Sequence, residues 1–102
     1  LYHGQRGPAL NMHLLATAYS DPETGGTGAH EPMIWWIPYG EGKVFTTVLG
    51  HVGRGQSPET WPMRCLGFQA TVVRACEWVA TGTVTIPLPE SLPTATEVRL
   101  AD

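Results

Sequence analysis

The sequence predicts an α/β fold of a few strands and one long helix, arranged as part of a three-layer sandwich. Three observations carry this expectation. Met33 to Tyr39 and Lys43 to Leu49 alternate well enough to form the two arms of a hairpin, turning at Gly40-Glu41-Gly42. Residues 57–82 carry helix start and stop signals around an apolar stripe. Trp35 and Trp36 are adjacent, so in a strand they point to opposite faces. Both faces of that strand are therefore built for burial, which a sheet with cover on either side provides and one helix alone does not.

Taken in chain order, Leu10 to Tyr19 is expected as the first strand. Met12, Leu14, Ala16 and Ala18 fall on one face, and His13, Leu15, Thr17 and Tyr19 on the other. Both sets are largely apolar, again the pattern of a strand covered twice, so His13 is expected to be packed and hydrogen-bonded. Ser20 to His30, rich in Gly, Thr, Asp and Pro, is expected as a flexible surface loop. It lacks the pattern of a phosphate-binding loop, and no helix follows it. Beyond the hairpin, Gly50 supplies freedom for a sharp exit and places His51 just past a strand end, where sheet proteins tend to build sites.

Ser57-Pro58 with Glu59 predicts the start of the helix, as N-cap, first residue and acidic first turn. Gly82 predicts its stop. Cys65, Phe68, Val72, Cys76 and Val79 recur at steps of three and four, which predicts one buried stripe. Eleven residues along a helix span about 16 Å, beyond the roughly 4.4–6.8 Å a disulfide allows between α-carbons. Cys65 and Cys76 are thus expected to be buried core thiols that do not pair with each other. Thr83 to Pro87 is a candidate short strand, kept to an edge by its prolines.

Composition sets outer bounds. In 102 residues the net charge is −3 and only 15% are charged, without a basic cluster, which argues against a nucleic-acid partner. No apolar run approaches a membrane span. Cytoplasmic and periplasmic or secreted locations both remain compatible with two unpaired cysteines. One partly covered sheet also predicts that the segment, expressed alone, associates with itself as a homo-oligomer.

The candidates for chemistry are His3, His30-Glu31 and His51, at loop and strand ends, with the hydroxyls of Tyr2 and Tyr39. Three imidazoles could converge on a divalent metal such as zinc, although no tight ligand spacing enforces it. No Ser-His-Asp or Cys-His arrangement can be assembled, because the serines lie in a loop, at a cap and in the tail. Trp35, Trp36 and Trp78 are expected in the core. Trp61, between Thr60 and Pro62, stands apart at the expected helix start, near where His51 should fall.

The stretch Tyr39-Gly40-Glu41-Gly42-Lys43-Val44-Phe45 with Leu49-Gly50-His51 resembles the ThuA-like (trehalose-utilisation) family, as do Pro32, Trp35 and Glu77-Trp78-Val79-Ala80. Leu1-Tyr2-His3 looks like the tail of that family's Asp-Glu-x-Tyr segment. The likeness covers nearly the whole chain but only the C-terminal part of the family's domain, so residues 1–102 are expected to be one partial domain with no second one. The resemblance implies a fold similar to class I glutamine amidotransferases, a flavodoxin-like sandwich in which a histidine near the end of a late strand works with an upstream nucleophile. His51 holds the similar position here. It further implies a role in trehalose or related sugar-derivative utilisation, with a small-molecule sugar as ligand. Two classes stay open. One is a sugar-processing, hydrolase-like enzyme with His51 catalytic and Tyr2, His3, His30 and Trp61 binding substrate. The other is a non-catalytic carbohydrate-binding or interaction domain.

Overall fold

The turn at Gly40-Glu41 organises the first half of the chain. In the computed structural model, which describes residues 1–7 and 9–102, Tyr39 pairs with Gly42, leaving Gly40 and Glu41 as a two-residue loop. Gly40 takes φ of 57° while Glu41 stays at negative φ, the arrangement of a type II′ turn, whose twist matches that of the flanking strands. The arms are β2, His30–Tyr39, and β3, Gly42–Thr47; the alternation predicted the hairpin, but β2 begins three residues before Met33, taking in His30 from the expected loop, and β3 ends two residues before Leu49. A third antiparallel strand, β1, His13–Tyr19, pairs with the other side of β2 to give the order β1-β2-β3. The strand begins at His13 rather than Leu10; Asn11, just before it, has φ of 56°, a left-handed conformation that breaks strand geometry.

The β1–β2 ladder is irregular for a chemical reason. Register passes from Leu14 opposite Trp35 to Ala16 opposite Ile34, and then to Thr17 opposite Pro32. One extra residue on each strand, Leu15 and then Met33, restores alignment. Pro32 has no N–H for the ladder, and a proline inside a central strand is tolerated at such a bulge. Met33 is turned inward there, at 3% exposure, and its carbonyl accepts the N–H of Val48 at 3.0 Å.

The chain divides into two compact units, Leu1–Val48 and Leu49–Asp102. In the first, Met33 is the buried hydrophobic residue; in the second it is Ala70. Leu14 and the bulged Leu15 are 48% and 57% exposed, while Ala16 and Ala18 are half-buried, so β1 keeps large apolar side chains open to solvent. Trp35, Trp36 and Trp78 are half-buried rather than core residues. His13 is exposed, not packed inside; its ring stacks on Trp36, its register partner, with centroids 4.0 Å apart and planes within 6°.

The loop 20–29 is tied down rather than loose. Ser20 is 2% exposed; its N–H donates to Ala29 O at 2.9 Å, its carbonyl accepts from Gly28 at 2.7 Å, and its Oγ accepts the N–H of Thr27 at 3.1 Å. Asp21 caps a single 3₁₀ turn, Pro22–Thr24, by accepting the N–H of Glu23 at 2.8 Å.

In the second unit the long helix starts later than its cap signals predicted. Pro58–Thr60 and Pro62–Arg64 form two separate 3₁₀ turns, and α1 runs from Leu66 to Thr81. Pro62 is the cause: it pushes the residue before it out of the helical region, and Trp61 is extended at φ −64°, ψ 130°. Cys65 is extended too and becomes the N-cap, so it lies outside the helix and only half-buried. Gln69, Val73, Cys76 and Ala80, at steps of four, three and four, form the solvent-facing stripe of α1. Cys76 is therefore an exposed thiol, which corrects the expectation of a buried one; both cysteines are free, as the spacing required. Gly82 ends the helix as predicted, its N–H bonding Trp78 O at 2.8 Å. Residues 83–87 form no strand. The C-terminal tail instead returns to the start of α1, where Leu66 N–H bonds Arg99 O at 2.8 Å and Ala101 N–H bonds Arg64 O at 2.7 Å.

Candidate functional site

The exit from β3 leads through Leu49 and Gly50 to His51, and the glycine is demanded by its surroundings. Gly50 has φ of 99°, a region side chains rarely adopt. A Cβ there would also lie 2.6 Å from Cζ and 2.9 Å from Cε2 of Phe68 on α1. The backbone of Gly50 and the Phe68 ring share one side of an open, mainly apolar cleft of about 420 Å³, completed by Leu49, Pro62, Cys65, Gly67, Thr71 and Pro93. Proline rings at both sides and the half-buried Cys65 Sγ make its lining rigid and poor in charge. His51 is the next residue after the cleft's Gly50 and is exposed. An exposed imidazole beside an apolar recess is suited to exchange protons with a bound molecule.

Trp61 belongs to the same unit and is 37% exposed. Its Nε1–H donates to Gln56 O at 3.2 Å, and Gln56 in turn donates from Nε2 to Thr60 O at 2.8 Å. These bonds fix the loop leading to α1 while the indole stays partly exposed. In the first unit, Tyr2 and His3 are exposed in the N-terminal segment. His30 is exposed at the start of β2, beside Tyr19, with ring centroids 5.4 Å apart at 55°, and its Nδ1 lies 3.5 Å from Thr17 Oγ1. Tyr39 is exposed at the hairpin end. Among the described residues no three His, Cys, Asp or Glu side chains form a group able to hold a metal ion.

Sequence reasoning missed Glu77 as an organising residue. Its carboxylate accepts the N–H groups of Thr85 and Ile86 and the Thr85 hydroxyl. These bonds, first that from Ile86 and then the Thr85 hydroxyl, with the charge of Arg74 adding to them, hold its pKa below the ordinary 4.5 against an opposing effect of desolvation. Arg74 and Glu77 are three apart on a helix and so share a face; that spacing was the available signal.

A crystal structure of a protein from Parabacteroides merdae, described as ThuA-like, matches 89% of this chain at 41% identity with a TM-score of 0.79. This chain is ThuA-like. The match spans 33% of the Parabacteroides protein, so the chain covers about a third of that neighbour's length. No protein-family model and no curated protein matches the sequence. The ThuA-like chain combines a three-stranded antiparallel sheet with one helix, an α/β composition. No helix among its described residues is long and apolar enough to cross a membrane.

Proposed function

We propose that this ThuA-like chain forms the C-terminal portion of a glutamine amidotransferase-like three-layer sandwich, and that the complete domain acts on a sugar or sugar derivative such as trehalose. The observation that carries the reading is the 41% identity to a ThuA-like protein of which the match spans 33%, taken with an exposed histidine directly after the Gly50 turn. The exposed Leu14 and Leu15 of β1 support it too. Apolar strand residues of this kind call for another layer of structure.

In this reading His51 is the acid/base group and the exposed Trp61 offers an indole on which a sugar ring can stack.

The test is made on the full-length protein with His51→Ala, scoring sugar turnover by product analysis and sugar binding by calorimetry. Stability should change by no more than about 0.5 kcal/mol, as for exposed positions, while turnover falls about 10²–10⁴-fold. Phe45→Ala, removing a half-buried aromatic of β3, should show the converse pattern, costing about 3 kcal/mol of stability. Sugar binding with no turnover in either protein would replace the enzyme by a carbohydrate-binding domain. A His51→Ala protein as destabilised as Phe45→Ala would make the imidazole a structural group and refute the assignment.

A further inference from the structure

The segment after α1 turns back along the helix and is held by two charged side chains of its last two turns. Glu77 Oε2 accepts the backbone N–H of Thr85 at 2.8 Å and of Ile86 at 3.0 Å, and its Oε1 accepts the Thr85 hydroxyl. Arg74 donates from Nη1 to the carbonyl of Ile86. An anion thus meets the donors of this dipeptide and a cation its acceptor. No part of this binding is a regular ladder, since residues 83–87 belong to no strand. Directly beyond the gripped dipeptide, Leu88, Leu92 and Pro93 face Ala70 and Thr71 of α1 across an open cleft of about 400 Å³, with Arg74 on its rim. The segment that walls this cleft is therefore the one that Arg74 and Glu77 grip.

We propose that Arg74 and Glu77 form a charge-dependent latch that holds the returning segment against α1 and keeps the cleft beneath it narrow, so that neutralising Glu77 frees the segment and widens the cleft. The physical basis is that a carboxylate accepts several N–H and O–H bonds at once, whereas a carboxyl has lost its charge and turned one oxygen into a donor. From the segment, the groups facing Glu77 are the two amides and the Thr85 hydroxyl; from its own helix it is the Arg74 guanidinium. All of them favour the ionised form. Because the folded-state value is depressed, the latch is at full strength above about 4.5, the ordinary carboxyl value, and is lost as pH falls through the lower folded value.

Amide hydrogen exchange on the full-length protein, corrected for intrinsic rates, tests the latch in the wild type and in Glu77→Gln. At neutral pH, Glu77→Gln should lower the protection of the Thr85 and Ile86 amides about tenfold, the scale of bonds to a charged acceptor. The hairpin amides between Trp36 and Phe45 should keep theirs, and wild type should approach the variant only under acid. Unchanged protection at Thr85 and Ile86 in Glu77→Gln overturns the proposal. Equal loss at these amides and in the hairpin overturns it as well, since the pair would then support the whole fold instead of a local strap.

Discussion

Replacing Gly50 by Ala perturbs the chain in two separable ways. An L-residue forced to φ of 99° is strained by about 1–2 kcal/mol. The added Cβ would also sit 2.6 Å from the Phe68 ring, a distance at which the ring must move. An aromatic packed on a helix yields at the cost of overpacking, about 1–3 kcal/mol. Together these give a loss of about 3 kcal/mol, measured as a lowered denaturation midpoint at unchanged slope on the full-length protein. Gly55 provides the control, since its φ is 80° but nothing lies within 4 Å of its would-be Cβ. Gly55→Ala should therefore cost only the conformational part. In a Phe68→Ala background, Gly50→Ala should fall to the Gly55→Ala value, and the difference is the coupling between the two residues. If Gly50→Ala and Gly55→Ala cost the same with Phe68 in place, close approach to the ring plays no part and the account of this turn is wrong.

Ser20→Ala should cost about 1–2 kcal/mol despite its small volume change, because the Thr27 N–H loses its buried acceptor; a cost within error, read by the same denaturation curves, would show that water replaces the hydroxyl. Cys76 lies on the solvent stripe of α1 while Cys65 is half-buried at its N-cap. A maleimide reagent at neutral pH should therefore label Cys76 first in the folded protein, and peptide mapping showing Cys65 labelled equally fast would contradict the observed burial.

The hairpin was legible because two period-2 runs and a Gly-x-Gly turn specify it locally, and no distant partner is needed to choose it. The helix was legible in its end but not in its beginning. Ser57, Pro58 and Glu59 are good start signals, yet Pro62, four residues on, forbids Trp61 the helical conformation and divides the stretch into two 3₁₀ turns. Weighing the second proline against the first would have moved the start to Leu66. Burial was the least legible quantity. Apolar patterning of β1 announces faces suited to cover, but whether they are covered depends on structure beyond the strand, and Leu14 and Leu15 remain open. Among the candidate residues, the placement of His51 after the Gly50 turn and of Trp61 before Pro62 was legible from turn and proline signals. Glu77 was not, because its partners are backbone amides eight and nine residues further on, and nothing in a side-chain pattern marks which amides will return.

The motif Leu49-Gly50-His51 can now be divided by cause. Gly50 is accounted for by backbone angle and by the Phe68 ring, both matters of folding. Glu77, in the second stretch that carries the family likeness, is accounted for by the amides of Thr85 and Ile86. His51 is exposed, so burial gives no reason for an imidazole at that point. Set at a turn whose glycine is fixed by close packing, it stands on a rigid support while remaining exposed, which suits the acid/base role proposed for it. This is also why His51→Ala is the informative substitution and Gly50→Ala is not. The second disturbs the support and the group together, while the first changes the imidazole and keeps Gly50, whose backbone angle and packing set the turn.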